Sequence, residues 1–299
     1  RAAELPVWTS ILDGADPLLT PRRLDPVGDL RSVRRLTLRL PVERTEPLLT
    51  TVPAAFHAGI NDVLLTALAL AVAGWRSEDR SDVLVALEGH GREEQIGDGV
   101  DLSATFGWFT TVFPVRLDPG TVDRAEALAG GPAAGTALKR IKEQLRAIPD
   151  HGIGYGLLRH LNPDTAAELA ARPAPQISFN YLGRFTVASG QAWTPLPGAG
   201  VLAGGFDDAM PVAPYSLEVN AFTADGPDGP ELGVTWAYPA DLFAEESVRT
   251  LAQAWFAALD GLVTHAARPG AGGHTPSDLD MVELSQEEID EFEAEWESL

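Results

Sequence analysis

The sequence predicts an α+β fold. Val83-Leu84-Val85-Ala86-Leu87 is an unbroken apolar run, the pattern of a strand buried on both faces. Tyr215–Phe222 and Glu231–Tyr238 flank a turn rich in Gly, Pro and Asp, so they are expected to pair as an antiparallel hairpin. Two apolar helical stretches, one from Asp62 to Trp75 and one from about Ala244 to Ala266, accompany these strands without a regular strand–helix–strand repeat. That irregular mixture favours α+β over a doubly wound sheet.

In chain order, residues 1–30 carry Pro6, Pro17, Pro21 and Pro26, too many for a regular helix beyond the first turns, and read as a connector. Leu36, Leu38 and Leu40 alternate with Thr37 and Arg39 as in a half-buried strand. The 62–75 helix is apolar all round and therefore buried, with Asn61 as its expected N-cap. A polar loop, Glu93 to Asp101, leads to a strand near Thr111–Leu117, where Pro114 implies an edge or a bulge. The second half of 122–147 is helical, with Leu138, Ile141 and Leu145 on one face, and Pro149 ends it. Asn162-Pro163 starts another helix, and Gln176–Leu182 is a short strand. The 244–266 helix carries the stripe Val248, Leu251, Trp255, Leu259 and Leu262. Residues 281–299 form an acidic helical tail: Ser285 to Glu288 is a capping box, and Ile289, Phe292 and Trp296 recur at helical spacing. It either packs on the body or begins a linker to a neighbouring module.

A formal charge of −21 argues against nucleic acid and anionic membrane surfaces as partners. No stretch is long and apolar enough to span a bilayer, and Arg1–Pro6 lacks the apolar segment of a signal peptide. The absence of cysteine excludes disulfides, thiolate metal sites and a thiol nucleophile, and fits a cytoplasmic protein.

The chemistry centres on Glu88. It ends the apolar strand and is followed by Gly89-His90-Gly91-Arg92-Glu93, so a carboxylate is aimed out of a rigid core beside flexible backbone. Such a group is a candidate general base, or else the start of a solvated turn. His90 with Glu93 supplies no third ligand for a metal. Gly152-Ile153-Gly154-Tyr155-Gly156 lacks the spacing of a dinucleotide loop and has no following Walker lysine, which leaves a turn. No Gly-x-Ser-x-Gly elbow anchors a hydrolase triad.

In order and spacing, Asn61-Asp62-Val63-Leu64-Leu65-Thr66-Ala67, the Glu88–Glu93 block, Thr105-Phe106-Gly107-Trp108-Phe109-Thr110, Pro149 with Gly152–Gly156, and Phe179-Asn180-Tyr181-Leu182-Gly183 form a set. On these motifs the chain resembles the epimerization domain of nonribosomal peptide synthetases, a member of the condensation-domain superfamily, from about Glu4 to about Leu284. The resemblance implies a chloramphenicol-acetyltransferase-like lobe, a mixed sheet flanked by helices. It also implies inversion at Cα of an aminoacyl or peptidyl thioester. Glu88 would be the base or acid on one face; Tyr181 would donate to the enolate oxygen or relay a proton, and Asn180 would hold the substrate's amide groups. Tyr181 reads equally as a core aromatic. His90, Arg92, Gly107, Trp108, Gly154 and Tyr155 would line the substrate tunnel.

Two departures bear on this. The family's amino-terminal lobe carries His-His-x-x-x-Asp-Gly, and none of the six histidines here has a histidine neighbour. The chain therefore resembles the carboxy-terminal lobe, residues 31–280, with 1–30 as the inter-lobe connector. Ala104 stands where the family commonly has arginine. Implied partners are that amino-terminal lobe, a peptidyl carrier protein presenting substrate on phosphopantetheine, and neighbouring synthetase modules; no cofactor of its own is expected. The basic cluster Arg22, Arg23, Arg31, Arg34 and Arg35 reads by default as a solvated charged face, or else would meet the carrier's acidic face or the arm's phosphate. The alternatives are a noncatalytic carrier-docking lobe and a condensation domain forming peptide bonds.

Overall fold

The computed structural model describes residues 1–76, 80–94, 97, 99–186, 215–279 and 284–297. Among them six strands form one mixed sheet: β1 (Val33–Leu40), β2 (Val83–Gly89), β3 (Thr111–Leu117), β4 (Ile177–Thr186), β5 (Leu217–Gly226) and β6 (Gly229–Pro239), in the order β1-β6-β5-β4-β2-β3. β2, β4 and β5 run parallel at the centre, while the β2–β3, β5–β6 and β1–β6 pairs are antiparallel. The α+β expectation and the hairpin from β5 to β6 are both observed. β3 is an edge strand, so Pro114, opposite Ala86, lies where a missing N–H is tolerated.

The helices are α1 (Leu5–Leu12), α2 (Val42–Leu49), α3 (Thr51–Phe56), α4 (Ile60–Trp75), α5 (Arg124–Leu128), α6 (Pro132–Arg146), α7 (Ile153–Gly156), α8 (Pro163–Ala170), α9 (Glu245–Ala266) and α10 (Gln286–Glu297). α4 is buried along most of its length, as its uniform apolarity requires. Its start differs from the expectation: Gly59, not Asn61, is the N-cap, and Asp62 reaches back to accept from the Gly59 N–H at 2.7 Å. Asn162 does cap α8, accepting from the Asp164 N–H at 3.0 Å. All five stripe residues of α9 are fully buried, and Trp255 locks α9 to the sheet and to α4. Its ring meets Trp236 edge-on at 6.0 Å, and its indole N–H donates to the Leu64 carbonyl at 3.0 Å.

Residues 1–30 are more than a connector. Pro6 sits in the first turn of α1, where its missing N–H costs nothing, and Trp8 and Leu12 are wholly buried. Beyond α1, Gln176 donates to Pro17 and Asp16 and accepts from the Leu19 N–H, fixing the proline-rich stretch to the start of β4. At the other end α10 packs on the body through buried Ile289, with Lys139 bonded to Asp290 and His274 to Glu293. Phe292 is exposed, and the Trp296 side chain lies outside the described residues. Parts of the 93–101 loop also lie outside them. No single helix among the described residues is long and apolar enough to cross a membrane.

Candidate active site

Side chains alternate along a strand, so the register assigns the site residues to faces. Leu87 pairs with Phe113 on one side and Phe179 on the other, placing these three and Tyr181 toward the core. Glu88 and Asn180, one residue further along each strand, share the opposite face. There the Asn180 amide donates to Glu88 Oε2 at 2.9 Å. Tyr181 turns toward Thr223, with the two hydroxyls 2.9 Å apart.

A cleft of about 210 Å³ opens at the ends of β2 and β4. Glu88, His90, Glu93, His151 and Tyr181 border it, with Asp62 and Arg146 across from them. Asp62 is buried and bonded to Arg146 at 3.0 Å; burial nonetheless raises its pKa above the ordinary aspartate value. Glu88 stands exposed at the rim, yet the protein crowding its carboxyl removes enough water to raise its pKa. A carboxylate less stabilised as the anion is a better base.

Of the expected tunnel residues, His90 alone borders this cleft. The others are not part of its lining. Arg92 donates to the carbonyls of Leu102, Thr105 and Gly107 and stacks over Phe109 at 4.6 Å, so it organises the 102–109 loop. Gly107 and Trp108 lie on that loop, and Trp108 projects into solvent, 95% exposed. Gly154 packs against the Glu4 carboxyl, and Tyr155 against Trp8 at 5.3 Å. Arg22, from the basic cluster, is committed to Asp29 by two 2.6 Å hydrogen bonds.

Two further features belong to the site. Tyr215 has its phenol pushed up to about 12 by burial, with Glu88, Tyr155 and Glu218 adding to the effect. In the sequence it reads only as the first residue of a hairpin. Glu93 is buried, with His151 Nδ1 at 2.8 Å from one carboxyl oxygen and His90 Nε2 at 3.7 Å from the other. Fifty-eight residues separate Glu93 from His151, and no spacing rule links them.

The strand-end glutamate and the asparagine of the neighbouring parallel strand thus meet on one face of the six-stranded sheet, and the cleft bordered by ionisable groups opens at its strand ends on the other. The chain belongs to the condensation domain family, whose model matches residues 3–284. It is 37% identical over 270 residues to tyrocidine synthase 2 of Brevibacillus parabrevis, covering 89% of this chain and 7% of that protein. It is 34% identical to tyrocidine synthase 1 of the same organism, covering 97% of this chain and 26% of that one. Among solved structures, the epimerization domain from the third module of tyrocidine synthetase B superposes with a TM-score of 0.70 at 32% identity, over 88% of this chain and 55% of that one. The X-domain from teicoplanin biosynthesis, at 20% identity and a TM-score of 0.60, shares the fold over 94% of this chain and 57% of that one. The chain thus spans a small part of the synthetases it matches and about half of the epimerization domain.

Proposed function

We propose that this chain is the carboxy-terminal lobe of an epimerization domain, which inverts Cα of an aminoacyl or peptidyl thioester on a carrier protein. The Glu88–Asn180 pair carries the reading. Glu88 takes the Cα proton, the C–H electron pair passes into the thioester enolate, and a histidine of an amino-terminal lobe returns a proton to the opposite face. Asn180 holds the carboxylate in position. Tyr181, turned to the opposite face of the sheet and bonded to Thr223, takes no part in this step. The substrate arrives on the carrier's phosphopantetheine arm, and the reaction needs no further cofactor. Support comes from the 32% identity and shared fold with a solved epimerization domain. Phe106 and Trp108, almost fully exposed, supply an apolar surface suited to the second lobe.

In the intact two-lobe protein, Glu88→Gln is expected to lower deuterium incorporation at Cα in D2O by about 10²- to 10⁴-fold. Full retention of exchange removes Glu88 from this role. A second reading, a condensation domain forming peptide bonds, draws on the family match itself. Amide formation between two carrier-bound substrates, without Cα exchange, would select it.

A further inference from the structure

We infer that the substrate is a peptidyl rather than an aminoacyl thioester, and that its upstream residues lie along a row of polar side chains crossing the sheet from Glu88 to Thr37. This deepens the proposed function and rests on Glu88 acting at Cα.

The row follows from strand register. Asn180 pairs with Asn220 on β5, Asn220 with Thr235 on β6, and Thr235 with Thr37 on β1. Glu88 joins them through its bond from Asn180, so five side chains share one face of five consecutive strands. Neighbouring strands lie about 4.8 Å apart, which makes the row about 19 Å long. In the other direction only β3 remains, where exposed, apolar Val112 stands opposite Glu88.

The flanking rows make it a trough. Two residues before Asn180 and Asn220, on the same face, Ser178 and Glu218 are buried, as is Ala237 beside them. Two residues after Asn220, Phe222 lies across Gly233, where a Cβ would meet its ring at 2.5 Å.

Asn220 stands at the centre, half-buried, and among the described residues no group bonds to its carboxamide. The pairs on either side are already bonded: Asn180 donates to Glu88, and the Thr235 and Thr37 hydroxyls lie 3.1 Å apart. A free carboxamide offers both a donor and an acceptor, the complement of a peptide unit. An extended chain rises about 3.3 Å per residue, so three residues upstream of the reacting Cα bring a peptide unit to Asn220, about 10 Å from Glu88. An aminoacyl group ends short of it. The phosphopantetheine arm also carries amides, but among the described residues the far end of the row offers its phosphate no free cation. Arg39 is bonded to Glu231 at 3.2 Å, and Arg35 is engaged as well.

The test is deuterium incorporation at Cα by the intact protein, with the carrier loaded with an aminoacyl group or with a tetrapeptidyl group ending in the same residue. kcat/KM is expected to be about 10-fold higher for the tetrapeptidyl substrate. Asn220→Leu is expected to remove that advantage, chiefly through KM, and to leave the aminoacyl value unchanged. Equal kcat/KM for the two substrates in the parent overturns the inference, whether or not the variant folds. An advantage that survives Asn220→Leu overturns the row as its source. Equal loss with both substrates places the arm, common to both, on the row and overturns the peptide assignment. Exchange abolished in Glu88→Gln without any chain-length preference in the parent overturns this inference alone, whereas exchange retained in Glu88→Gln overturns the proposed role of Glu88 and the inference with it.

Discussion

At the level of single residues, the site is a contest over one carboxyl proton. Burial raises the pKa of Glu88; the Asn180 amide donates to its Oε2 at 2.9 Å, and a donor to the charged form favours that form. Removing the donor leaves desolvation unopposed. In Asn180→Leu the Glu88 pKa is therefore expected to rise further, moving the acid limb of the kcat/KM–pH profile to higher pH. The raised value also bears on stability. A carboxyl whose folded pKa lies above its ordinary 4.5 contributes stability that is complete below that value and is lost as pH rises through the folded pKa. Relative to the parent, Glu88→Gln is thus expected to gain urea resistance as pH moves from acid to neutral.

Among the elements, the turn after β2 decides where the site residues point. Gly91 is left-handed, φ 64°, and a Cβ there would lie 1.6 Å from the Phe109 carbonyl oxygen. Gly91→Ala must both strain the backbone and push away the 102–109 loop that Arg92 holds. A loss of about 1–3 kcal/mol in urea unfolding is expected, with faster amide exchange in that loop. The glycine-flanked histidine is therefore a packing requirement as well as an opening for substrate. The N-terminal segment makes a related point about prolines. Pro6 is compatible with α1 because it occupies the first turn, so proline content alone did not exclude a short anchored helix.

For the molecule as a whole, the sheet's two faces differ in what covers them. α4 and α9 build a continuous apolar core on one, centred on Trp236 and Trp255. The other presents Glu88 and Asn180, with Val112 exposed opposite Glu88. Trp108 buries almost nothing in the isolated chain, so Trp108→Ser is expected to leave its unfolding free energy within about 0.5 kcal/mol. If this chain is one lobe of a two-lobe domain, as proposed, and the second lobe covers that surface, the same change is expected to lower the melting temperature of the intact protein. An unchanged melting temperature there would place the inter-lobe contact elsewhere.

The sequence by itself determined the elements and the first site residue. Local periodicity is enough to specify a buried strand, an all-apolar helix and a hairpin, and a charged residue ending a five-residue apolar run is conspicuous in one dimension. It also carried the motif set that matches the condensation domain family. Only the tertiary structure decided which side chains meet. Strand parity joins Glu88 to Asn180 and turns Tyr181 the other way, and parity acts through register between strands nearly a hundred residues apart. The buried Glu93 and its bond to His151 were illegible for the same reason. A hydrogen bond between distant loops leaves no periodic trace, and arises only once Gly152 lets one loop close onto Phe113 of β3.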